Sequence, residues 1–331
     1  MKIGVLGAGT WGMALARMLA NENHDVEVYS AIESEIDELS TTRRQKNLPG
    51  MVIPDSIRFT KNIEEACKAK DIILCAVPSI FVRSTMEKAK NYIPEGQIIV
   101  DVAKGIESST LFTMSEIIED VLGNNMRVVA LSGPTHAEEV AKDMPTTIVS
   151  ASKDLEAAKI VQDAFMNDNM RVYTNEDIKG VEICGALKNV IALASGISSG
   201  LGFGDNARAA LITRGIAEMM RLGKAMDCNI HTFSGLAGIG DLIVTATSMH
   251  SRNNRCGQLI GQGVKADEAI RQVGMVVEGI NALPAAMELK EKYNVELPII
   301  ETVNDILNNG ADPKRSVYDL MNREKKDEIE F

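Results

Sequence analysis

Met1-Lys2-Ile3-Gly4-Val5-Leu6-Gly7-Ala8-Gly9-Thr10-Trp11-Gly12 takes an apolar segment directly into a turn built on Gly7, Gly9 and Gly12. Residues 1–6 read as a strand. Residues 13–21 read as a helix, with Met13, Ala14, Ala16, Met18 and Leu19 at its apolar or small positions. In that frame Gly7 permits the tight turn, Gly9 lets the backbone approach a pyrophosphate, and Gly12 lets helix and strand pack closely. The pyrophosphate sits where unpaired N–H groups and the positive end of the helix dipole converge. Glycine turns also serve loops that hold no ligand; the strand before this one and the helix after it favour the dinucleotide reading.

Outward from that turn, the first half alternates short apolar runs with amphipathic segments, the pattern of βαβ units around a parallel sheet. Strands are expected at residues 2–6, 25–29, 71–77, 98–102, 127–131 and 146–151, each ending at the crevice where open α/β sheets bind ligands. Val77-Pro78-Ser79, Ala103-Lys104-Gly105 and Ser132-Gly133-Pro134-Thr135 stand at such ends. From about Asp177 the pattern changes to long helices, expected at residues 180–195, 207–226, 259–262, 282–293 and 298–308. The boundary is placed near Lys179, giving a dinucleotide-binding domain over residues 1–179 and an all-α domain over 180–331, whose charged end, residues 323–331, is expected to fray.

A chain of 331 residues, 45% hydrophobic and 24% charged, can fill two cores, since single cores stop growing near about 250–300 residues. A net charge of −11 argues against a nucleic-acid surface. It does not argue against an anionic substrate, because screening over about 10 Å lets a few local cations outweigh a distant acidic exterior. Cys67, Cys75, Cys184, Cys228 and Cys256 show no knuckle or redox spacing and read as reduced thiols. No metal triad is visible among the histidines: His136 reads as loop support, and His24, His231 and His250 as surface or cap residues. The 17 methionines read as core filler. The chain enters a strand without a basic-then-apolar leader, and no stretch is expected to reach the roughly 20 apolar residues of a membrane span. A cytoplasmic chain that does not insert into membranes is the expectation.

Lys188 lies among Cys184, Leu187, Ile191, Ala194 and Ser195 at helical spacing, on the wrong face for a solvated charge. A lysine there needs a carboxylate partner or a chemical role; otherwise it snorkels at the domain edge. Asn189 beside it can donate and accept, which suits orienting a carbonyl or hydroxyl. Downstream, glycines crowd Asp241, which reads either as a site carboxylate or as a helix N-cap. Arg252 with Asn253 offers a planar fork and an amide suited to phosphate, although surface arginines are common.

Taken together, GAGTWG at residues 7–12, VAKGIE at 102–107, SGPTHAEEV at 132–140, GALKNVIALASGISSGLGFGDNARAALITRG at 185–215, GLAGIGDLIVTATS at 235–248 and VVEG at 276–279 closely resemble the bacterial-type soluble NAD(P)-dependent glycerol-3-phosphate dehydrogenase family, in order and over nearly the whole chain. The resemblance implies a Rossmann-like α/β N-terminal domain with a parallel-rich sheet, followed by an all-α, 6-phosphogluconate-dehydrogenase-like C-terminal domain. It implies NAD or NADP as cofactor and glycerol phosphate made for phospholipids. No metal is expected, and a homodimer is considered only because dimers are the common soluble assembly. By similarity Lys188 is the proton donor and acceptor, with Lys104 and Asp241 beside the reacting carbon and Asn189 and Thr245 in support. Lys104, Gly133, Thr135, Lys188, Asp241, Ser251, Arg252 and Asn253 would hold substrate. Gly7, Gly9, Thr10, Trp11, Gly12, Lys104, Ala137, Arg252, Val276 and Glu278 would line the dinucleotide. Hydride transfer to C2 of dihydroxyacetone phosphate builds charge on the carbonyl oxygen, which an ammonium can stabilise and protonate. The reverse reaction needs a neutral amine, whose proton affinity burial and a cationic neighbour are expected to lower, favouring oxidation at alkaline pH.

The chain departs from the family pattern after its second strand. Tyr29-Ser30-Ala31-Ile32 lacks the arginine that often contacts the extra phosphate of NADP, and Asn47-Leu48-Pro49-Gly50 lacks the tyrosine of the usual YLPG. No acid stands at the strand tip, although Glu33 lies close and Arg43-Arg44 could reach a phosphate, so the lean is slightly toward NAD. Rival readings are a dehydrogenase of another hydroxy acid or sugar acid on the same sheet, and a silent dinucleotide sensor needing the turn but not Lys104, Lys188 and Asp241.

Overall fold

Lys2–Leu6 (β1) is buried from Ile3 onward and lies between Asp25–Tyr29 (β2) and Ile72–Cys75 (β4), parallel to both. Arg58–Thr60 (β3), Ile98–Asp101 (β5), Arg127–Ser132 (β6), Thr146–Ala151 (β7) and Met170–Asn175 (β8) complete one sheet of order β3-β2-β1-β4-β5-β6-β7-β8. The structure, a computed structural model, describes residues 1–328. β4 and β5 are buried along their whole length. This is why they read as unbroken apolar runs: helices cover both faces of a parallel sheet. Strand order reverses between β1 and β4, so their carboxyl ends form the switch point where such sheets bind ligands.

The sheet is not parallel throughout. β7 pairs antiparallel with β6, through Ala130↔Ala151 and Ser132↔Val149, and β8 runs parallel to β7. The strand expected at residues 146–151 therefore ends at the edge opposite the glycine turn, and the expectation that every strand ends at the ligand crevice fails for it.

The chain divides into two units, Met1–Lys104 with Phe112–Glu182, and Gly105–Leu111 with the residues from Ile183 on. The expected cut near Lys179 falls inside the helix Ile178–Gly200. Gly105–Leu111 belongs with the second unit because Ile106 is buried in that unit's core and Leu111 packs against it. The first unit has its own core, built from the sheet and from Met13, Leu15 and Leu19 of the helix Thr10–Asn21.

The helix Ile178–Gly200, in the second unit from Ile183 on, is long and apolar enough to cross a membrane by composition, contrary to expectation, but its apolar window is entirely buried in the protein. A helix apolar all round is a core helix when other helices surround it. Arg323 and Lys326, in the end expected to fray, reach Glu296 Oε2 at 3.3 and 3.0 Å, while residues 329–331 of that end lie outside the described residues.

Glu218 shows how this unit satisfies a buried helix end. Pro298 opens the helix Pro298–Asn308 without an N–H, and no side chain from its own cap position binds the next donors. Glu218, 2% exposed, accepts Ile299 N–H at 2.7 Å and Ile300 N–H at 3.3 Å instead. Burial pushes its carboxyl up to about 8, against the pull of those two bonds and of Arg221. A raised carboxyl stabilises the fold below its unfolded value, and that contribution is lost as pH rises through the folded value. Urea unfolding between about pH 5 and about pH 9 should therefore show Glu218→Gln gaining stability relative to the parent as pH rises. A pH-independent difference between the two would exclude this role.

Candidate active site

In the first unit, the glycine turn fits a dinucleotide. Gly7 has φ +118°, and a Cβ there would stand 2.7 Å from the Ala76 carbonyl oxygen just past β4. A Cβ on Gly12 would stand 2.2 Å from the Gly7 carbonyl oxygen, so these two glycines close the turn on itself. Gly9 differs: a Cβ there would meet nothing within 4 Å. Gly9 is also the N-cap of Thr10–Asn21, and no side chain caps that helix. The open space and the opening N–H groups could hold a pyrophosphate. Trp11 beside them packs partly buried against the core.

At the carboxyl ends of β5 and β6, Lys104 Nζ donates to the Gly133 carbonyl at 3.0 Å and Thr135 Oγ1 donates to the same oxygen at 3.2 Å. Lys104, Gly133 and Thr135 are thus together. Ala137 follows as the first residue of the short helix Ala137–Val140.

Sequence reasoning missed two features of this unit. Gln45, 4% exposed, donates to the Ala8 carbonyl at 3.2 Å, and Asn47 donates to Thr10 Oγ1 at 3.3 Å, so the loop that departs from the family pattern is tied to the glycine turn. The acid near the tip of β2 is Glu35 and not Glu33: Ser30 Oγ donates to Glu35 Oε2 at 2.7 Å, while Glu33 lies 3.5 Å from Lys61. Arg43 is also turned away from any phosphate role. It donates to the Ile57 carbonyl at 2.7 Å and its guanidinium lies over Phe59.

In the second unit, Lys188 is 5% exposed, and its amine donates to Asp241 Oδ1 at 2.7 Å and to Thr245 Oγ1 at 2.6 Å. The snorkelling alternative is excluded, because the charged head is inside with a carboxylate. Asp241, 1% exposed, follows the π-helical turn Leu236–Gly240 and opens the helix Asp241–Thr247, where Gly240 holds the cap position. The N-cap reading of Asp241 gives way to that geometry. Thr245 lies four residues on, on the same helical face, and its hydroxyl donates to the Asp241 carbonyl at 2.6 Å. Burial by itself favours a neutral amine, whereas the carboxylate at 2.7 Å favours ammonium. The expectation of lowered proton affinity thus meets an opposing charge.

Asn189 and Asn253 bind one another. Asn253 Nδ2 donates to Asn189 Oδ1 at 2.9 Å, Asn189 Nδ2 donates to the Gly185 carbonyl at 3.1 Å, and Asn253 Oδ1 accepts Gly279 N–H at 2.9 Å. This ties the Lys188 helix to the start of the helix Glu278–Tyr293, where Val276 and Glu278 stand half-buried. Ser251 caps the helix Arg252–Gly261 by accepting Asn254 N–H at 3.2 Å. Half-buried Arg252 opens that helix and makes no ion pair among the described residues. No group of three or more His, Cys, Asp or Glu that could hold a metal occurs among the described residues.

A family model for the N-terminus of NAD-dependent glycerol-3-phosphate dehydrogenase matches residues 2–158, and the model for its C-terminus matches residues 177–318. The chain is 67% identical to glycerol-3-phosphate dehydrogenase (NAD(P)+) 2 of Lactobacillus delbrueckii subsp. bulgaricus, over 99% of each chain. It is 52% identical to the Agathobacter rectalis enzyme of that name, over 98% of this chain and 97% of the other. The crystal structure of glycerol-3-phosphate dehydrogenase from Coxiella burnetii superposes with a TM-score of 0.94 at 35% identity, over 97% of this chain and 99% of that one. The chain belongs to the NAD-dependent glycerol-3-phosphate dehydrogenase family.

Proposed function

We propose that this chain interconverts dihydroxyacetone phosphate and sn-glycerol 3-phosphate with NADH or NADPH. The observation that carries the reading is the buried amine of Lys188, fixed by Asp241 and Thr245. The glycine turn Gly7–Gly12 would hold the reduced dinucleotide, whose nicotinamide would supply a hydride to C2 of the ketone. As charge builds on the carbonyl oxygen, the Lys188 ammonium stabilises it and gives it a proton. Asp241 and Thr245 orient the amine, and the Asn189–Asn253 pair holds its helix in register. Lys104 adds positive field and, with Gly133, Thr135, Ser251, Arg252 and Asn253, holds the glycerol phosphate. Phosphate binding draws on a non-reacting part of the substrate to orient the carbonyl. Thr10, Trp11, Ala137, Val276 and Glu278 line the dinucleotide with the glycine turn. A cytoplasmic homodimer supplying glycerol phosphate for phospholipids is the cellular setting we infer.

NADH consumption on adding dihydroxyacetone phosphate tests this, with NADPH in parallel. Consumption supports the dehydrogenase over the silent sensor, and a screen of hydroxy acids and sugar acids separates the remaining rival. No turnover with either nucleotide would overturn the proposal.

Arg252 gives a sharper result. Losing a charge-assisted bond to phosphate should lower kcat/KM for dihydroxyacetone phosphate about 10²-fold in Arg252→Ala. Affinity for 5′-ADP, which reports the adenosine half of the cofactor, should stay at the parent value. Unchanged kinetics would remove Arg252 from the site.

A further inference from the structure

The tip of β2 lacks an acid in sequence but not in space. Ser30, 6% exposed, donates from Oγ to Glu35 Oε2 at 2.7 Å and accepts Ile32 N–H at 3.1 Å on the same oxygen. The buried hydroxyl thus holds the Glu35 carboxylate back against the strand tip. Of the other acids of the helix Glu33–Thr42, Glu33 and Asp37 lie 3.5 and 2.8 Å from Lys61, while Glu38 stands on the same side as Glu35 without the bond from Ser30. Glu35 makes no ion pair among the described residues, so its charge is not neutralised by a neighbour.

The carboxylate borders a cavity of about 160 Å³ that Ile32, Ser34, Glu38, Arg44 and Lys46 also line. Gln45 and Asn47 tie the loop carrying Arg44 and Lys46 to Ala8 and Thr10 of the glycine turn. That places the cavity beside the pyrophosphate cradle, next to the strand end where sheets of this kind meet the adenosine ribose.

We propose that Glu35, presented by Ser30, reads the hydroxyls of the adenosine ribose and biases this chain toward the dinucleotide without a 2′-phosphate. The inference rests on dinucleotide binding at the Gly7–Gly12 turn and adds which of the two dinucleotides fits better. A carboxylate accepts hydrogen bonds from two ribose hydroxyls, whereas a 2′-phosphate brings a second anion with no proton to offer. Arg44 and Lys46 at the same cavity offset the carboxylates of Glu35 and Glu38, so the bias is modest, about tenfold. Glu35 touches the ribose; Ser30 is a positioning residue acting through it.

The test is calorimetric titration of the full chain with 5′-ADP and with 2′,5′-ADP, which reads binding without turnover. The parent should bind 5′-ADP about tenfold more tightly than 2′,5′-ADP. Glu35→Gln keeps an acceptor for Ser30 but removes the charge, and should bring the two affinities close to equality. Ser30→Ala should narrow the ratio in the same direction, while Glu33→Gln should leave it unchanged. A parent that prefers 2′,5′-ADP, or a ratio that Glu35→Gln does not move, overturns the role of Glu35 alone. A parent that binds neither nucleotide overturns the dinucleotide site and Glu35 with it.

Discussion

Replacing Lys188 with Met should lower kcat for reduction of dihydroxyacetone phosphate by about 10³-fold, the scale of a lost general acid together with a lost charge at the oxyanion. Affinity for 5′-ADP should hardly change, because the glycine turn proposed to hold that half of the cofactor has no hydrogen bond to Lys188 among those described. The substitution has a second consequence. Asp241 is 1% exposed, and without the ammonium it stays buried but loses its ion-pair partner. Breaking such a pair by removing one partner costs about 3–5 kcal/mol. Stability and activity therefore separate in the double variant Lys188→Met with Asp241→Asn, which should regain most of the lost stability and none of the lost rate. Recovery of both would mean that Lys188 matters only for packing. On the proposed mechanism the parent oxidises glycerol 3-phosphate by passing its hydroxyl proton to a neutral Lys188, so single-turnover oxidation should accelerate toward alkaline pH. A flat profile would remove the amine from the proton path.

That pair marks the limit of what the chain discloses in one dimension. The apolar stripe around Lys188 makes a partner necessary, yet the partner lies 53 residues away and is brought in by the π-helical turn Leu236–Gly240. Crowded glycines announce close backbone approach but not the extra residue per turn that aims Asp241. Strands buried on both faces, such as β4, were plain as apolar runs, although residues 71–77 shorten to Ile72–Cys75 in the sheet. β3, only three residues long, has no room for a period. β8 did carry a signal: Met170 and Val172 are buried while Arg171 and Tyr173 are exposed, the alternation of a half-covered edge strand. The helix Ile230–Phe233 is too short to show a period, whereas Ala266–Val273 does carry one, burying Ala269 and Val273 a turn apart. Gly105–Leu111 joins the second unit through Ile106, a long-range contact that local pattern does not encode. Glu35 is hidden for a simpler reason: it stands in the first turn of the helix Glu33–Thr42, five residues past Ser30, and returns to the strand tip only through that serine.

The glycine turn permits the cleanest separation of fold from function, because its three glycines differ in what a methyl group would meet. At Gly7 the backbone is in a region side chains rarely adopt, and a Cβ would press on the Ala76 carbonyl at 2.7 Å; at Gly12 it would press on the Gly7 carbonyl at 2.2 Å. Neither neighbour is a flexible side chain, so Gly12→Ala should lose about 1–3 kcal/mol of stability along with binding. Gly9 has φ −65° and ψ 179°, which alanine adopts without strain, and its Cβ would meet no atom within 4 Å. Gly9→Ala should therefore melt within a few degrees of the parent, the residual cost being the poorer N-cap. The methyl would nonetheless occupy the space through which a pyrophosphate reaches the N–H groups opening the helix Thr10–Asn21. Losing charge-assisted bonds worth about 1.5–3 kcal/mol each should weaken NADH binding by roughly 10²-fold. Quenching of Trp11, the sole tryptophan and the second residue of that helix, reads the affinity directly. If Gly9→Ala binds NADH as the parent does, the open space in front of Gly9 is not where the pyrophosphate lies.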